Sequence, residues 1–208
     1  MCIGNETLSS TFLCCNIHAL TEEIRSAYDV SASTPSLDRY IRWNNNNHHC
    51  TILNVDGSCN GAPIQTGFGG TLRTHAGRFI SGFSGRIHHS KDILFAELTA
   101  LYQGLLLATN LNYNELACYS DSMLTVNLIN DELNPYHVYA VLIQNIKDLI
   151  SARNFSLHHS LREGNQCADF MAKIGASNDV DLLIHSHPPD GLYPLLQSDE
   201  LGTLFLRC

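Results

Sequence analysis

The sequence predicts an α/β domain with a five-stranded mixed sheet flanked by helices. Three strand-like segments come first with no helix between them, and helices then alternate with two further strands. An antiparallel start followed by βα-type units is typical of a mixed sheet. The chain has 208 residues, 44% of them hydrophobic and 15% charged, which suffices for one folded domain with extensions.

The first three strands are predicted to form an antiparallel meander. Residues 51–56 (TILNVD) alternate between apolar and polar side chains and stop at Asp56–Gly57, a pair that favours a turn. Two further strands, over 67–74 and 78–87, follow with a short glycine-containing turn between them.

Helical and strand-like segments alternate after the meander. Ser90 is predicted to cap a helix over 91–109, because leucines recur there at helical spacing on one face. The remaining elements are a strand over 115–120, helices over 122–130 and 137–153, a strand over 155–160 and a helix over 165–174.

The chain divides into three predicted regions. Residues 1–50 form a poorly specified N-terminal extension with a short helix around 21–28, and 51–176 form the main domain. Residues 177–208 contain three prolines, which predicts an irregular C-terminal tail.

Composition points to an intracellular protein. No apolar run approaches the roughly 18–20 residues of a membrane-spanning helix, so no membrane association is expected. The N-terminus has no Lys or Arg before its short apolar stretch and makes a poor secretory signal. The eight cysteines include no CxxC pair and are interpreted as reduced thiols, so we expect a cytoplasmic or nuclear location.

The net charge of −8 argues at first against a nucleic-acid partner. Residues 51–176, however, carry eight basic and ten acidic side chains. If four of those carboxylates bind metal ions, the remaining surface of the domain is slightly positive, so charge does not decide the question.

Four acidic residues lie at strand ends or within helices, where a carboxylate is energetically unfavourable or has a defined geometry. Asp56 ends the first strand, Asp121 follows the fourth, and Asp169 lies inside the last helix. Glu97 lies on the leucine stripe of its helix, where an ionised group is unfavourable unless it is paired or bound to metal. Carboxylates at one edge of a sheet would suit Mg²⁺ or Mn²⁺.

Each of these acids also has an ordinary structural explanation. Asp56 could shape a turn before Gly57, Asp121 could cap the short helix, and Asp169 could be a solvated helix residue. Glu97 is the hardest to explain in this way.

Five stretches together resemble the ribonuclease H family, especially the reverse-transcriptase-associated proteins common in plants. They cover about 51–176 in the family's order, and the last contains its His–Asn–Asp spacing at His159, Asn165 and Asp169. A tryptophan, Trp43, before the first strand also fits the plant type. The five stretches are NVDGSCNG (54–61), GFGGTLR (67–73), FAELTALYQGLLLA (95–108), YSDSMLTVNLI (119–129) and HHSLREGNQCADFMAK (158–173).

The resemblance implies endonucleolytic hydrolysis of the RNA strand of an RNA–DNA hybrid, with two Mg²⁺ or Mn²⁺ ions as cofactors. By resemblance, Asp56, Glu97, Asp121 and Asp169 are the catalytic, metal-binding acids, and His159 is a mobile catalytic histidine. An alternative for His159 is a structural hydrogen bond to the backbone at a strand end.

The resemblance also suggests how nucleic acid is contacted. The candidate binding residues are Gly57, Ser58, Cys59 and Asn60, through their backbone, and Asn165. Four basic residues are candidate phosphate partners, unless they only form a solvated hairpin surface: Arg73, Arg78, Arg86 and Lys91.

The segment between the predicted helices 122–130 and 137–153 is not basic: residues 131–136 are acidic. A basic segment there would help to bind the phosphates of a nucleic acid. We therefore expect an affinity that is either weak or supplied by an associated protein, and the sequence leaves the oligomeric state open. Two other hypotheses remain: a domesticated nucleic-acid-binding or interaction domain with little or no cleavage activity, and an exonuclease of the wider superfamily.

Overall fold

A computed structural model describes residues 40–44 and 46–206 of the chain. These residues belong to one unit that begins at Tyr40. The helix predicted around 21–28 lies outside the described residues.

Eight strands and five helices are found within the described residues. The strands are β1 (Tyr40–Ile41), β2 (Thr51–Asn60), β3 (Gln65–Arg73), β4 (Phe79–Ile87), β5 (Glu115–Ser120), β6 (Asn154–His159), β7 (Leu183–His185) and β8 (Phe205–Leu206). The helices are α1 (Ile93–Asn110), α2 (Met123–Asn130), α3 (Ala140–Ser151), α4 (Gln166–Ser177) and α5 (Tyr193–Glu200), with a 3₁₀ turn at Arg162–Gly164.

The main sheet has six strands in the order β6-β5-β2-β3-β4-β7. The α/β class and the mixed sheet are confirmed: β2, β3 and β4 are antiparallel, β5 is parallel to β2, and β6 is parallel to β5. The prediction of five strands is wrong, because β7 pairs antiparallel with β4. The C-terminal region, predicted as irregular, therefore extends the sheet and adds α5, while β8 pairs with β1.

Helices cover both faces of the sheet. Alternate residues of β2, such as Leu53 and Val55, pack with the leucines of α1 in the main hydrophobic core. On the opposite face, α4 lies so close to β3 that a Cβ on Gly69 would be 2.5 Å from the backbone of Met171. The glycines of β3 therefore allow α4 to lie directly on the sheet.

Two predicted element boundaries are corrected. Strand β2 does not stop at Asp56–Gly57 but continues to Asn60, and Gly57 serves a close approach instead of a turn: its Cβ would be 2.7 Å from the backbone nitrogen of Glu97. Helix α1 is capped by Asp92, not Ser90, since an Asp92 carboxylate oxygen accepts from the Leu94 N–H at 2.9 Å.

Helix α1 is long and apolar enough to cross a membrane by length and composition alone. Half of it is buried inside the domain, and Leu98, Leu101 and Leu105 are completely buried. Its apolar character is thus explained by its position against the sheet.

Candidate active site

Three acidic side chains meet where β5 ends beside β2. Asp56 lies in the middle of β2, Asp121 directly follows β5, and Glu97 is in the second turn of α1. The parallel register that pairs Val55 with Ser120 brings Asp56 and Asp121 to the same level. One carboxylate oxygen from each of the three residues lies within 4.8 Å of the others.

The three carboxylates cannot all carry a charge without compensation. Only 5% of Asp56 and 6% of Glu97 are exposed. Burial raises the pKa of Asp56 strongly, and the nearby charges of Glu97 and Asp121 raise it further. Burial and the charge of Asp121 likewise raise the pKa of Glu97, against smaller lowering effects from the Gly57 N–H, Asp56 and Arg162.

The donor set fits a hard divalent cation. Carboxylate oxygens are the ligands that Mg²⁺ and Mn²⁺ prefer, and a cation would remove the repulsion that raises these pKa values. In addition, the buried Oε2 atom of Glu97 has no hydrogen-bond partner among the described residues. Asp56, Glu97 and Asp121 could therefore hold such an ion.

Asp169 lies near this group but outside it. It is in the first turn of α4, and its carboxylate accepts a hydrogen bond from Lys173 Nζ at 2.6 Å. Its charge still contributes to raising the pKa of Asp56, although it is the smallest of the causes. The prediction that Asp169 is a fourth metal ligand therefore stays a prediction.

The three clustered acids line an open cleft of about 430 Å³, together with His159 and Arg162. The Arg162 side chain is 87% exposed, and its Nε is 3.8 Å from an Asp121 carboxylate oxygen. Arg162 was not singled out from the sequence; its place in REGN, just before Asn165, is the only signal that could have drawn attention to it.

His159 ends β6 at the wall of the cleft. Its Nε2 lies 3.2 Å from the backbone carbonyl of Asp121, within hydrogen-bond distance. This is the type of contact that the structural alternative for His159 requires. The imidazole nevertheless remains beside the three carboxylates, so its catalytic role is still a prediction.

The predicted backbone contacts lie on an accessible part of β2. Strand β5 pairs with β2 only over Thr51–Val55, so the segment Asp56–Asn60 has no strand neighbour on that side. Within it, Gly57 lines the cleft, Ser58 is buried, Cys59 is partly buried and Asn60 is exposed. A role for these residues in nucleic-acid binding stays a prediction.

The side chains of two predicted contacts are in the interior. Asn165 is 1% exposed, and its amide donates to the Val55 carbonyl and accepts from the Asn54 amide. Arg73 is completely buried and pairs with Asp199 at 2.6 Å. Both side chains are engaged with internal partners, and a role for either in nucleic-acid binding stays a prediction.

Comparison with known proteins assigns the chain to a family. The family model described as "Reverse transcriptase-like" matches residues 54–175, more than half of the chain. The chain belongs to the reverse transcriptase-like family. The matched region contains all four of the predicted acids and His159.

A curated relative agrees with this assignment. The "Putative ribonuclease H protein" of Arabidopsis thaliana is 26% identical to this chain over 175 residues, which is 84% of this chain and 28% of the relative. The chain thus spans little more than a quarter of that relative's length.

Solved structures show that this reverse transcriptase-like domain has the ribonuclease H fold. RNase H1 from Halobacterium salinarum NRC-1 aligns with a TM-score of 0.54 and 21% identity over 61% of this chain and 97% of that one. LC11-RNase H1, solved in complex with an RNA/DNA hybrid, aligns with a TM-score of 0.54 and 20% identity over 61% and 96%. The predicted resemblance to the ribonuclease H family is confirmed.

Proposed function

We propose that this chain is a metal-dependent endonuclease that hydrolyses the RNA strand of RNA–DNA hybrids. The observation that carries the proposal is the gathering of Asp56, Glu97 and Asp121 oxygens within 4.8 Å at the end of a ribonuclease H fold. The relatives support the substrate class, since LC11-RNase H1 was solved with an RNA/DNA hybrid.

The three clustered acids, with Asp169 as a fourth ligand, would hold two Mg²⁺ or Mn²⁺ ions. Bound divalent ions of this kind lower the pKa of water and stabilise charge that develops on a phosphodiester. The charges of Glu97, Asp121 and Asp169 all act on Asp56, which suits Asp56 to share both ions. The Lys173 bond occupies one carboxylate oxygen of Asp169, so the other oxygen would complete the set if Asp169 approached the cluster.

The remaining residues of the cleft would orient the substrate and move protons. The unpaired edge of Gly57–Asn60 offers backbone groups that could contact 2′-hydroxyls, by which a hybrid differs from duplex DNA. His159 would exchange its contact with the Asp121 carbonyl for one to the leaving oxygen or to water.

The proposal extends to the affinity for the hybrid and to the cellular location of the protein. The acidic stretch 131–136 gives no cationic support to a bound duplex, so an associated protein would supply part of the affinity. The four cysteines described by the structure, Cys50, Cys59, Cys118 and Cys167, are free thiols, which suits the reducing cytoplasm or nucleus.

One observation favours the second candidate, a binding domain with little cleavage activity. The 2.6 Å ion pair of Asp169 with Lys173 leaves three of the four predicted acids in the cluster. If Asp169 stays outside the cluster in the presence of metal, the site would hold fewer ligands than the two-ion chemistry needs.

A cleavage assay distinguishes the two candidates. The purified chain is incubated with Mg²⁺ or Mn²⁺ and an end-labelled RNA–DNA hybrid, and Asp56→Asn and the exposed Asp190→Asn serve as the test and control variants. We expect internal cuts in the RNA from the wild type and Asp190→Asn, and none from Asp56→Asn. A retarded hybrid with no product from the wild type would contradict the nuclease and support the binding domain.

A further inference from the structure

The cleft contains one side chain with a permanent positive charge. Four of the residues that line it are acidic, and Arg162 is the one lysine or arginine among the lining residues that the structure describes. The Arg162 side chain is exposed, whereas that of Asp121 is largely buried. The guanidinium therefore lies on the solvent side of the acid that it faces, where an incoming ligand would meet it first.

The charge of Arg162 is close to the clustered acids without being bonded to them. Within the described part of the chain its one charged partner is Asp121, and the 3.8 Å from Nε to the carboxylate oxygen is longer than a hydrogen bond. Burial raises the pKa of Glu97, and the charge of Arg162 partly offsets that rise. The guanidinium thus acts on two of the acids while its N–H groups stay available to a ligand.

The turn that carries Arg162 is fixed at both ends. On one side, the Ser160 N–H donates to the Ser120 carbonyl at 2.9 Å. On the other side, the Asn165 amide donates to the Val55 carbonyl at 2.9 Å. Each of these two acceptors directly precedes one of the clustered aspartates. The backbone at Arg162 is therefore tied to the two strands that position the carboxylates.

We propose that Arg162 binds the phosphodiester in the cleft by donating to one of its non-bridging oxygens. A phosphodiester is an anion and is repelled by the acidic lining, whereas the planar N–H fork of a guanidinium matches phosphate oxygens. The phosphate would replace Asp121 as the partner of Arg162. This inference rests on the proposed function, and it supplies part of the cationic contact that the acidic segment 131–136 lacks.

A purely structural role for Arg162 makes a different prediction. If Arg162 only held the acids in place, its loss would weaken the binding of both Mg²⁺ and nucleic acid. If it binds the phosphate, its loss should weaken hybrid binding alone. The Mg²⁺ affinity should then stay the same or rise, because a positive charge near the cation-binding carboxylates has been removed.

The test measures both affinities. Hybrid binding is titrated with monovalent salt at constant Mg²⁺ in the Asp56→Asn background, which separates binding from cleavage, and Mg²⁺ binding is measured by calorimetry without that substitution. Arg162→Gln is expected to weaken hybrid binding by about threefold to tenfold. It should also reduce the slope of log affinity against log salt by about 0.9, the value for one phosphate contact.

Two further variants control for charge. Arg162→Lys keeps the positive charge and should keep the slope. Arg153→Gln removes the same charge at the start of β6, about 20 Å along the strand from the end that lies at the cleft, and should change neither affinity nor slope.

The outcomes separate this inference from the proposed function. Unchanged hybrid affinity and slope in Arg162→Gln would overturn the phosphate contact and leave the nuclease proposal standing. Loss of both hybrid and Mg²⁺ affinity would also overturn it, because Arg162 would then maintain the site instead of binding the substrate. If neither the wild type nor Asp56→Asn binds or cleaves the hybrid, the nuclease proposal fails and this inference fails with it.

Discussion

The side-chain amide of Asn165 donates a hydrogen bond of 2.9 Å to the backbone carbonyl of Val55, one residue before Asp56. The same side chain accepts a bond of 3.0 Å from the Asn54 amide. Asn165 directly precedes α4, which carries Asp169. These two bonds therefore join the strand that bears Asp56 to the helix that bears Asp169.

Asn165→Ala should destabilise the fold. The substitution leaves the buried Val55 carbonyl and Asn54 amide without this partner, and one unsatisfied buried group costs about 1–3 kcal/mol. Urea denaturation would measure the free energy of unfolding. The exposed Asn127→Ala on α2 is the matched control and should change it little. Equal free energies of unfolding for the two variants would show that the Asn165 hydrogen bonds do not stabilise the fold.

Asp199→Ala should destabilise the protein more strongly. Arg73 is completely buried, donates to Asp199 at 2.6 Å and to Asn54 at 2.8 Å, and stacks 4.2 Å from the centre of the Trp43 ring. Removing one partner of a buried ion pair leaves an uncompensated charge and costs about 3–5 kcal/mol.

The same denaturation experiment checks this expectation. The exposed Asp190→Ala serves as the control and should unfold like the wild type. The double variant Arg73→Met/Asp199→Leu should recover part of the loss, because it removes both buried charges. A loss below about 1 kcal/mol for Asp199→Ala would contradict the expected importance of the buried Arg73–Asp199 ion pair.

Local patterns predicted much of this fold, and long-range pairing explains most of what they missed. Strand β5 was predicted with its observed bounds, Glu115–Ser120, because the run is too short for a typical helix and lies between helical segments. Strand β7 was missed because three residues in a proline-containing stretch carry no periodic signal, and only pairing with β4 makes them a strand. Gly57 was assigned to a turn because the sequence does not show its contact with α1.

The candidate site was predicted only in part, again because contacts between distant residues do not show in the sequence. Acids on strand ends and on an apolar helix face can be recognised from spacing, and Asp56, Glu97 and Asp121 do meet. The burial of Arg73 could not be predicted, because its partner Asp199 is 126 residues away in the sequence. Asp169 and Lys173 are four residues apart, a spacing at which oppositely charged side chains often pair on a helix surface. Many such pairs are solvated, so the spacing does not indicate a functional site.

Without metal, the site should make the fold less stable as the pH rises. Burial and neighbouring charges raise the pKa of Asp56 and Glu97 in the folded state. A carboxyl group with a raised folded-state pKa contributes stability that is complete below its unfolded pKa of about 4 and is lost as the pH rises through the folded value.

Thermal unfolding with a chelator would measure this dependence. Between about pH 5 and pH 9, the wild-type Tm should fall more steeply than that of Asp56→Asn, because the variant lacks one of the repelling charges. Added Mg²⁺ should raise the wild-type Tm most at the upper end of that range. Parallel curves for the two proteins would contradict the raised pKa of Asp56.

His159→Ala should lower kcat by about tenfold or more if the imidazole exchanges protons during cleavage. The KM should change little, because His159 is not proposed to contribute uniform binding. Steady-state cleavage of a hybrid would measure both constants, with the exposed His187→Ala as the control. Activity within about twofold of wild type would leave His159 with only its backbone contact to Asp121.

Calorimetric titration with Mg²⁺ and Mn²⁺ tests the central claim most directly, since it asks whether the clustered carboxylates hold divalent cations. The wild type and the exposed Asp190→Asn should take up metal with measurable heat, and Asp56→Asn should lose affinity by at least about tenfold. Absence of metal uptake by the wild type, or unchanged uptake by Asp56→Asn, would contradict the assignment of this cleft as a metal-dependent active site.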